Sequence, residues 1–350
     1  MTLHIEKTTT SKISKVDFSN LSFGQEFTDH MFECDYIDGT WQTPKILPYA
    51  PLTLDPSAKV FHYGQAVFEG MKAYKSDDDE IWMFRPDQNQ KRINISAERL
   101  GMPAFPKELF FDGLNNLLKL DNEWIKKGEG NSLYIRPFII ATESCVSASI
   151  SDSYKFMIIC SPVQSYYAGE VRVIIEDKYS RSANGGVGYA KAAGNYAGSF
   201  YPTKLAREKG FQQVIWTDSC SHEYLEEAGV MNVFFRVNNT LLTAPTSERI
   251  LDGITRKSIV QLCEHEGINI EVRPVKVSEI MEAARKGELL EMFGAGTAAV
   301  ISPILGFSHH DESFELPKVA DSYATYIKKR ITDIQQHKAE DIFGWTYKVN

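Results

Sequence analysis

Apolar and polar positions follow two different rhythms along this chain, and they divide it near the middle. In the first half, apolar residues fall in short β-branched and aromatic runs bounded by turn residues. This pattern predicts strands over 27–36, 60–74, 81–85, 132–141 and 154–160. Helical spacing interrupts them over 88–100 and 112–127. Residues 161–170 carry Pro162, Gly169 and two tyrosines with no period. The expected organisation is therefore a first domain over 1–166, a connection over 167–178 and a second domain over 179–350.

The second half opens with a strand over 171–175. A helix is expected over 198–209, stopped by Gly210 in the place glycine favours after a helix. A buried strand follows over 212–217. Strands over 231–237 and 240–243 form a hairpin through Asn238-Asn239, because asparagine tolerates the left-handed dihedrals of such turns. An amphipathic helix over 254–266 puts Ile259, Leu262 and Cys263 on its inner face and ends at Gly267; another covers 278–286 and ends at Gly287. The overall class is α/β in the broad α+β sense. No internal repeat or low-complexity segment appears.

Length and charge narrow the function classes. The 350 residues can bury two cores, and the net charge of −8 is dispersed, so no basic face invites nucleic acid or an anionic membrane. The run Asp77-Asp78-Asp79-Glu80 lies between two strand-like stretches and reads as a solvated hairpin tip rather than a metal site. His309-His310 likewise reads as a solvated loop pair. Five cysteines without a C-x-x-C pair argue for a reducing compartment and against zinc. The first fifteen residues lack an apolar core, and no run is long enough to cross a bilayer. A cytoplasmic protein with no metal is expected.

Lys191 is the residue whose surroundings point to chemistry. It sits in Gly185-Gly186-Val187-Gly188-Tyr189-Ala190-Lys191-Ala192-Ala193-Gly194-Asn195-Tyr196, where small neighbours let backbone approach a ligand. A desolvated lysine amine can form a Schiff base with a carbonyl, whether a substrate's or the aldehyde of pyridoxal phosphate. A Walker loop is excluded because Ala190 replaces the glycine before the lysine. Gly294-Ala295-Gly296-Thr297-Ala298-Ala299 fits a dinucleotide fingerprint. The β-branched, proline-containing run from Val300 to Ile304 then stands where that fingerprint needs a helix. Pyridoxal phosphate also requires a carboxylate at its ring nitrogen, and one of the pair Glu226-Glu227, ahead of a β-patterned run, suits it. For phosphate, Leu251-Asp252-Gly253-Ile254-Thr255 opens a helix whose first amides attract anions, with Asp252 the alternative N-cap. Gly296-Thr297 adds amides and a hydroxyl, and Arg85 adds a charge.

Taken together, Phe68-Glu69-Gly70-Met71-Lys72, Phe84-Arg85-Pro86, Tyr134-Ile135-Arg136-Pro137, Lys191 with Gly194-Asn195-Tyr196, Glu227-Ala228-Gly229 and Gly294-Ala295-Gly296-Thr297 resemble a branched-chain-amino-acid aminotransferase of the class IV, fold-type IV pyridoxal-phosphate enzymes. The likeness runs from about Phe23 to the C-terminus. It implies a smaller N-terminal α/β domain, a larger barrel-like C-terminal domain, the cofactor at their interface, and a homodimer. Lys191 would bind the cofactor covalently and shuttle the substrate proton. Glu227 would pair with the ring nitrogen, with Glu226 its solvated neighbour, and Tyr196 would bond the phenolic oxygen. Arg85, Leu251, Gly253, Ile254, Thr255, Gly296 and Thr297 would serve the phosphate. Thr297 and Ala298 would present amides to the substrate carboxylate. Phe23, Tyr63, Phe68, Tyr134 and Tyr166 would line the side-chain pocket, with Val146 and Ala148 reaching across from the partner subunit. Arg136 is the candidate for a γ-carboxylate. The implied reaction exchanges an amino group between leucine, isoleucine or valine and 2-oxoglutarate. Two departures are visible: Val230 stands where a hydroxyl residue is usual, and Ala299 and Ser302 replace a redox-active cysteine pair. The rival readings are D-amino-acid transamination or aminodeoxychorismate lysis on the same fold, and a non-catalytic binding protein.

Overall fold

Nine strands of the first half and the C-terminal strand Thr346–Lys348 pair edge to edge, among the described residues, into one ten-stranded, mostly antiparallel sheet. Its centre is the ladder between Ser132–Ala141 and Tyr154–Val163. The structure is a computed structural model that describes residues 2–164 and 171–350. Helix Lys107–Leu120 buries Phe110, Leu114, Leu117 and Leu118, a spacing that puts all four on one face. They join Phe32, Phe105 and Phe156, of which the last two stack with ring centroids 3.7 Å apart. Each such side chain stabilises by about 1.5–3 kcal/mol on burial.

Helix Pro86–Arg99 starts with proline at its first position, where a missing N–H costs nothing. Its buried face carries Asn89, Arg92 and Ser96, three and four residues apart and so aligned. That face is polar because Asn89 and Arg92 bind the buried Glu69 carboxylate and Ser96 accepts from the Lys191 N–H.

In the second half six strands close into a barrel. The order around it is Met231–Val237, Leu289–Gly296, Val300–His309, Val171–Ile175, Gln213–Thr217 and Tyr224–Ala228, and the last pairs back to the first. Its interior holds Val173, Ile175, Ile215, Val233, Phe235, Met292, Ile304 and Phe307. Asn238, at φ 51°, makes the expected hairpin turn between Met231–Val237 and Thr240–Thr243. Helix Ile254–Glu266 ends at Gly267 with φ 72° and fully buries Ile259, Leu262 and Cys263, as its periodicity predicted.

The chain groups into two units, 1–166 with 190–194 and 333–350, and 167–189 with 195–332. The sequence reading put 179–350 in one domain. The C-terminal residues instead group with the first unit, because strand Thr346–Lys348 pairs with Ile81–Phe84. Val171–Ile175, which lies wholly inside the expected connection 167–178, is a barrel strand. The run over 60–74 is not one strand: it breaks into helix Lys59–Tyr63 and strands Ala66–Phe68 and Met71–Lys75, with Gly64 in the left-handed region between. Helix Ala193–Glu208 begins five residues earlier than expected and contains Pro202; helix Tyr323–Gln335 was not foreseen. No helix among the described residues is long and apolar enough to cross a membrane.

Candidate active site

Lys191 is built into the first unit by its backbone. Its N–H donates to Ser96 Oγ at 2.8 Å, its carbonyl accepts from Phe68 N–H at 3.1 Å, and Ala192 bridges to Val67. The glycine-rich stretch is thereby clamped to strand Ala66–Phe68, and the lysine Nζ lies 4.7 Å from the Phe68 ring centroid. Glu69, the next residue of that segment, is fully buried. It accepts from Arg92 Nε at 2.6 Å, Arg92 Nη2 at 2.9 Å and Asn89 Nδ2 at 2.7 Å. Burial alone would raise its pKa, but the charge and hydrogen bonds of Arg92, with the charge of Lys191, hold it below the usual carboxylate range.

The Phe68 ring also receives Arg136, whose guanidinium carbon is 4.7 Å from the centroid and 5.3 Å from that of Tyr134. Arg136 Nη2 donates to the Tyr134 hydroxyl at 2.9 Å. Its Nε is buried without a hydrogen-bond partner, and no carboxylate among the described residues pairs with it. Phe23 meets Tyr134 edge-on at 5.0 Å. Gly70 must be glycine here, since a Cβ would collide with the Tyr134 hydroxyl. Lys191, Phe68, Tyr134, Arg136 and Phe23 thus form one aromatic wall with two cations. Arg85 belongs to the same unit, as a non-glycine residue at φ 48°, ψ 44°. Its N–H donates to Trp345 O at 2.7 Å and its guanidinium lies 5.5 Å from the Trp345 ring. Tyr63 is half exposed, and its hydroxyl donates to the carbonyl of Val146 in the same chain. Val146 and Ala148 lie on an exposed loop held by buried Lys59, whose Nζ contacts Glu143 at 2.8 Å, Ser149 Oγ at 2.9 Å and Ile150 O at 3.1 Å. Tyr166 lies outside the described residues.

In the second unit Tyr196, Glu227 and Leu251 line one cleft with Arg181, Asn195, Ser199, Gly229 and Val230. Successive strand residues point to opposite faces, so Glu226 and Glu227 of strand Tyr224–Ala228 have different partners. Glu227 is buried and pairs with Arg181 Nη1 at 2.7 Å, and it accepts from Leu251 N–H at 3.3 Å. Glu226 is not the solvated neighbour the sequence suggested: it is 3% exposed and paired with Arg249. Burial pushes its carboxyl pKa up against the opposing pull of Arg249.

Asn232 joins the phosphate candidates to this carboxylate. It sits opposite Glu227 on one side and Ala295 on the other, and its Nδ2 donates to Leu251 O at 3.0 Å. Its Oδ1 occupies the space a Cβ on residue 253 would need, which is why Gly253 is glycine. Gly253, not Asp252, is the N-cap of helix Ile254–Glu266, and no side chain caps that helix; Asp252 pairs with Lys257. The amides around Ile254 and Thr255 are therefore available to an anion. Gly296 ends one barrel strand, opposite Val300 at the start of the next, and Thr297 and Ala298 lie in the turn between them, not before a helix. Val300 has φ 60°, a strained value for a β-branched residue, costing on the order of 1–3 kcal/mol at that turn.

Arg181, Asn232 and Lys59 were missed from the sequence. No motif flags them, because each acts through partners far along the chain.

The first unit offers a lysine amine over an aromatic face, and the second offers a buried carboxylate in one cleft with a tyrosine and an uncapped helix start; these are donor types that pyridoxal phosphate needs. Comparison with known proteins agrees. Residues 66–306 match the amino-transferase class IV family, and the chain belongs to that family, a pyridoxal-phosphate-dependent transferase family. It is 47% identical to the branched-chain-amino-acid transaminase 1 of Bacillus subtilis (strain 168), covering 98% of both chains. Its identity to that organism's branched-chain-amino-acid aminotransferase 2 is 45%, over 99% of this chain and 97% of the relative. Among solved structures, the branched-chain aminotransferase of Thermoproteus uzoniensis with norvaline shares the fold at TM-score 0.74. It is 23% identical, covering 91% of this chain and 99% of that one. The PLP-form enzyme of Thermobaculum terrenum superposes at TM-score 0.75 with 20% identity, over 93% and 100% of the two chains.

Proposed function

We propose that this chain transfers the amino group of L-leucine, L-isoleucine or L-valine to 2-oxoglutarate, leaving branched-chain 2-oxo acids and L-glutamate. The names of the Bacillus relatives support the branched-chain half of that reading. One observation carries the glutamate half: Arg136 lies on the wall that holds Lys191, against Phe68 and Tyr134, with no carboxylate partner among the described residues. An aliphatic side chain can rest on the rings in one half-reaction. A γ-carboxylate can pair with the guanidinium in the other, so its charge is not buried alone.

When bound, pyridoxal phosphate supplies the aldehyde and the electron-accepting ring. Lys191 would hold it covalently and would take up and return the substrate Cα proton. Glu227, oriented by Arg181, would hold the pyridine nitrogen protonated, and Tyr196, in the same cleft, would bond the phenolic oxygen. Arg85, Leu251, Gly253, Ile254, Thr255, Gly296 and Thr297 serve the phosphate. Thr297 and Ala298 would orient the substrate carboxylate, and Phe23, Tyr63, Phe68 and Tyr134 would enclose its side chain, with Tyr166, outside the described residues, assigned to the same pocket by the family resemblance alone. The two half-reactions alternate in ping-pong order. In the homodimer we propose, Val146 and Ala148 meet the partner's pocket; the exposure of their loop supports this. The free thiols among the described residues fit a reducing cytoplasm.

The test is half-reaction spectroscopy of the purified holoenzyme with a panel of L- and D-amino acids. L-leucine, L-isoleucine, L-valine and L-glutamate should each discharge the cofactor absorbance, and D-isomers should not. Lys191→Ala should lose covalent attachment and at least about 10²–10⁴-fold in rate. Equal rates with D-isomers, or substantial turnover in that variant, would overturn the assignment.

A further inference from the structure

The hairpin joining Val300–His309 to Glu312–Glu315 turns through His310 and Asp311, with His309 paired to Glu312 across it. Adjacent residues of a strand point to opposite faces, so two neighbouring histidines should not face one partner. Here they do. His310 has φ 51°, in the left-handed region that glycine fills without cost, and this brings its ring to within 3.9 Å of the His309 ring centroid. Both rings face Asp177, two residues past the barrel strand Val171–Ile175, which runs parallel to and pairs with Val300–His309.

The distances discriminate between two readings of the cluster. His309 Nε2 lies 3.7 Å from Asp177 Oδ2, beyond hydrogen-bond reach, and His310 Nδ1 lies 3.2 Å from the same oxygen, at the long end. Ligand atoms held 2.0–2.1 Å from a tetrahedral zinc ion are about 3.3 Å apart. The measured pair brackets that value, and one ligand atom from each of the three residues lies within 4.8 Å of the others. Two imidazoles and one carboxylate suit zinc and its transition-metal neighbours, not magnesium or calcium.

We propose that Asp177, His309 and His310 form a binding site for one divalent transition-metal ion, with zinc the best fit and water completing the coordination. The site is separate from the residues assigned to transamination. Bound metal staples the end of strand Val171–Ile175 to the hairpin turn of its neighbour, so its readout is stability rather than turnover.

The experiment is calorimetric titration of the untagged holoenzyme with Zn²⁺ and Co²⁺, paired with thermal unfolding. Wild-type chain should take up one equivalent and unfold at higher temperature with the metal. His310→Gly removes one ligand while leaving a residue that accepts the turn, so it should fold, bind at least about tenfold more weakly and lose the metal-dependent rise in Tm. Asp177→Asn should weaken binding similarly, and excess Mg²⁺ should not compete. Wild-type affinity retained in both variants, no uptake by the wild type, or displacement by Mg²⁺ would each overturn the proposal.

Discussion

Replacing Arg136 by Leu tests the proposal that one pocket serves two substrates, and the structure sets the expected asymmetry. The guanidinium has one hydrogen bond to a neutral partner, the Tyr134 hydroxyl at 2.9 Å, plus two aromatic faces and no carboxylate among the described residues. Its removal from the resting chain therefore breaks no ion pair. The loss of one hydrogen bond, about 1 kcal/mol, is offset by an apolar side chain on the Phe68 ring and by no longer burying an unpartnered Nε. Thermal stability should change little. With glutamate bound, the variant leaves a γ-carboxylate unpaired in an aromatic pocket, a loss of about 2–5 kcal/mol. At about 1.4 kcal/mol per decade, that is roughly 30- to 5,000-fold in the glutamate half-reaction. On the proposed reading leucine would make only apolar contact with the stem of Arg136, so its half-reaction should fall by less than about tenfold. Stopped-flow absorbance with each amino acid alone separates the two, whereas steady-state turnover mixes them. Equal losses with leucine and glutamate, or a Tm drop of many degrees, would refute the reasoning and make Arg136 a structural residue.

The paired glutamates should separate by readout. Glu227→Gln should retain cofactor but lose turnover, whereas Glu226→Gln, on the opposite face with Arg249, should lower Tm and leave the half-reaction nearly intact; equal turnover losses would show the faces misassigned. Asp218 should make stability acid-sensitive. Burial opposes its ionisation, but the backbone N–H groups of Ser221, Tyr224 and Cys220 and the Ser221 hydroxyl outweigh this and lower its pKa from 3.8 to about 2. Because the folded value is the lower one, the stabilisation is full above the unfolded value of 3.8 and lost as pH falls through about 2. It amounts to about 2 kcal/mol at neutral pH and about half that at pH 3. Asp218→Asn should therefore unfold more readily at pH 7, with the deficit shrinking in acid; a deficit independent of pH between 3 and 7 would exclude this origin.

Local chemistry was legible wherever it is written in neighbouring residues. The helix over 254–266, its Gly267 stop and the Asn238-Asn239 turn follow from period and dihedral preference alone, and the structure reproduces them. So does the failure of Gly294–Ala299 to open a helix, since Val300 to Ile304 is too β-branched and holds a proline. The motifs around Lys191, Glu227 and Tyr134 carried the resemblance to the class IV aminotransferases, the family to which the chain belongs. What the chain order could not disclose were the pairings. Glu226 looked like a loop acid until Arg249, twenty-three residues on, reached it. Arg181 gained meaning only beside Glu227, Asn232 only between two barrel strands, and Asp177 only opposite a histidine pair more than a hundred residues away. Dihedral preference and periodicity act over a few bonds, so they can be read in order along the chain. Burial, ion pairing and ligand geometry depend on which strands lie side by side, and register is settled only when the whole sheet or barrel packs.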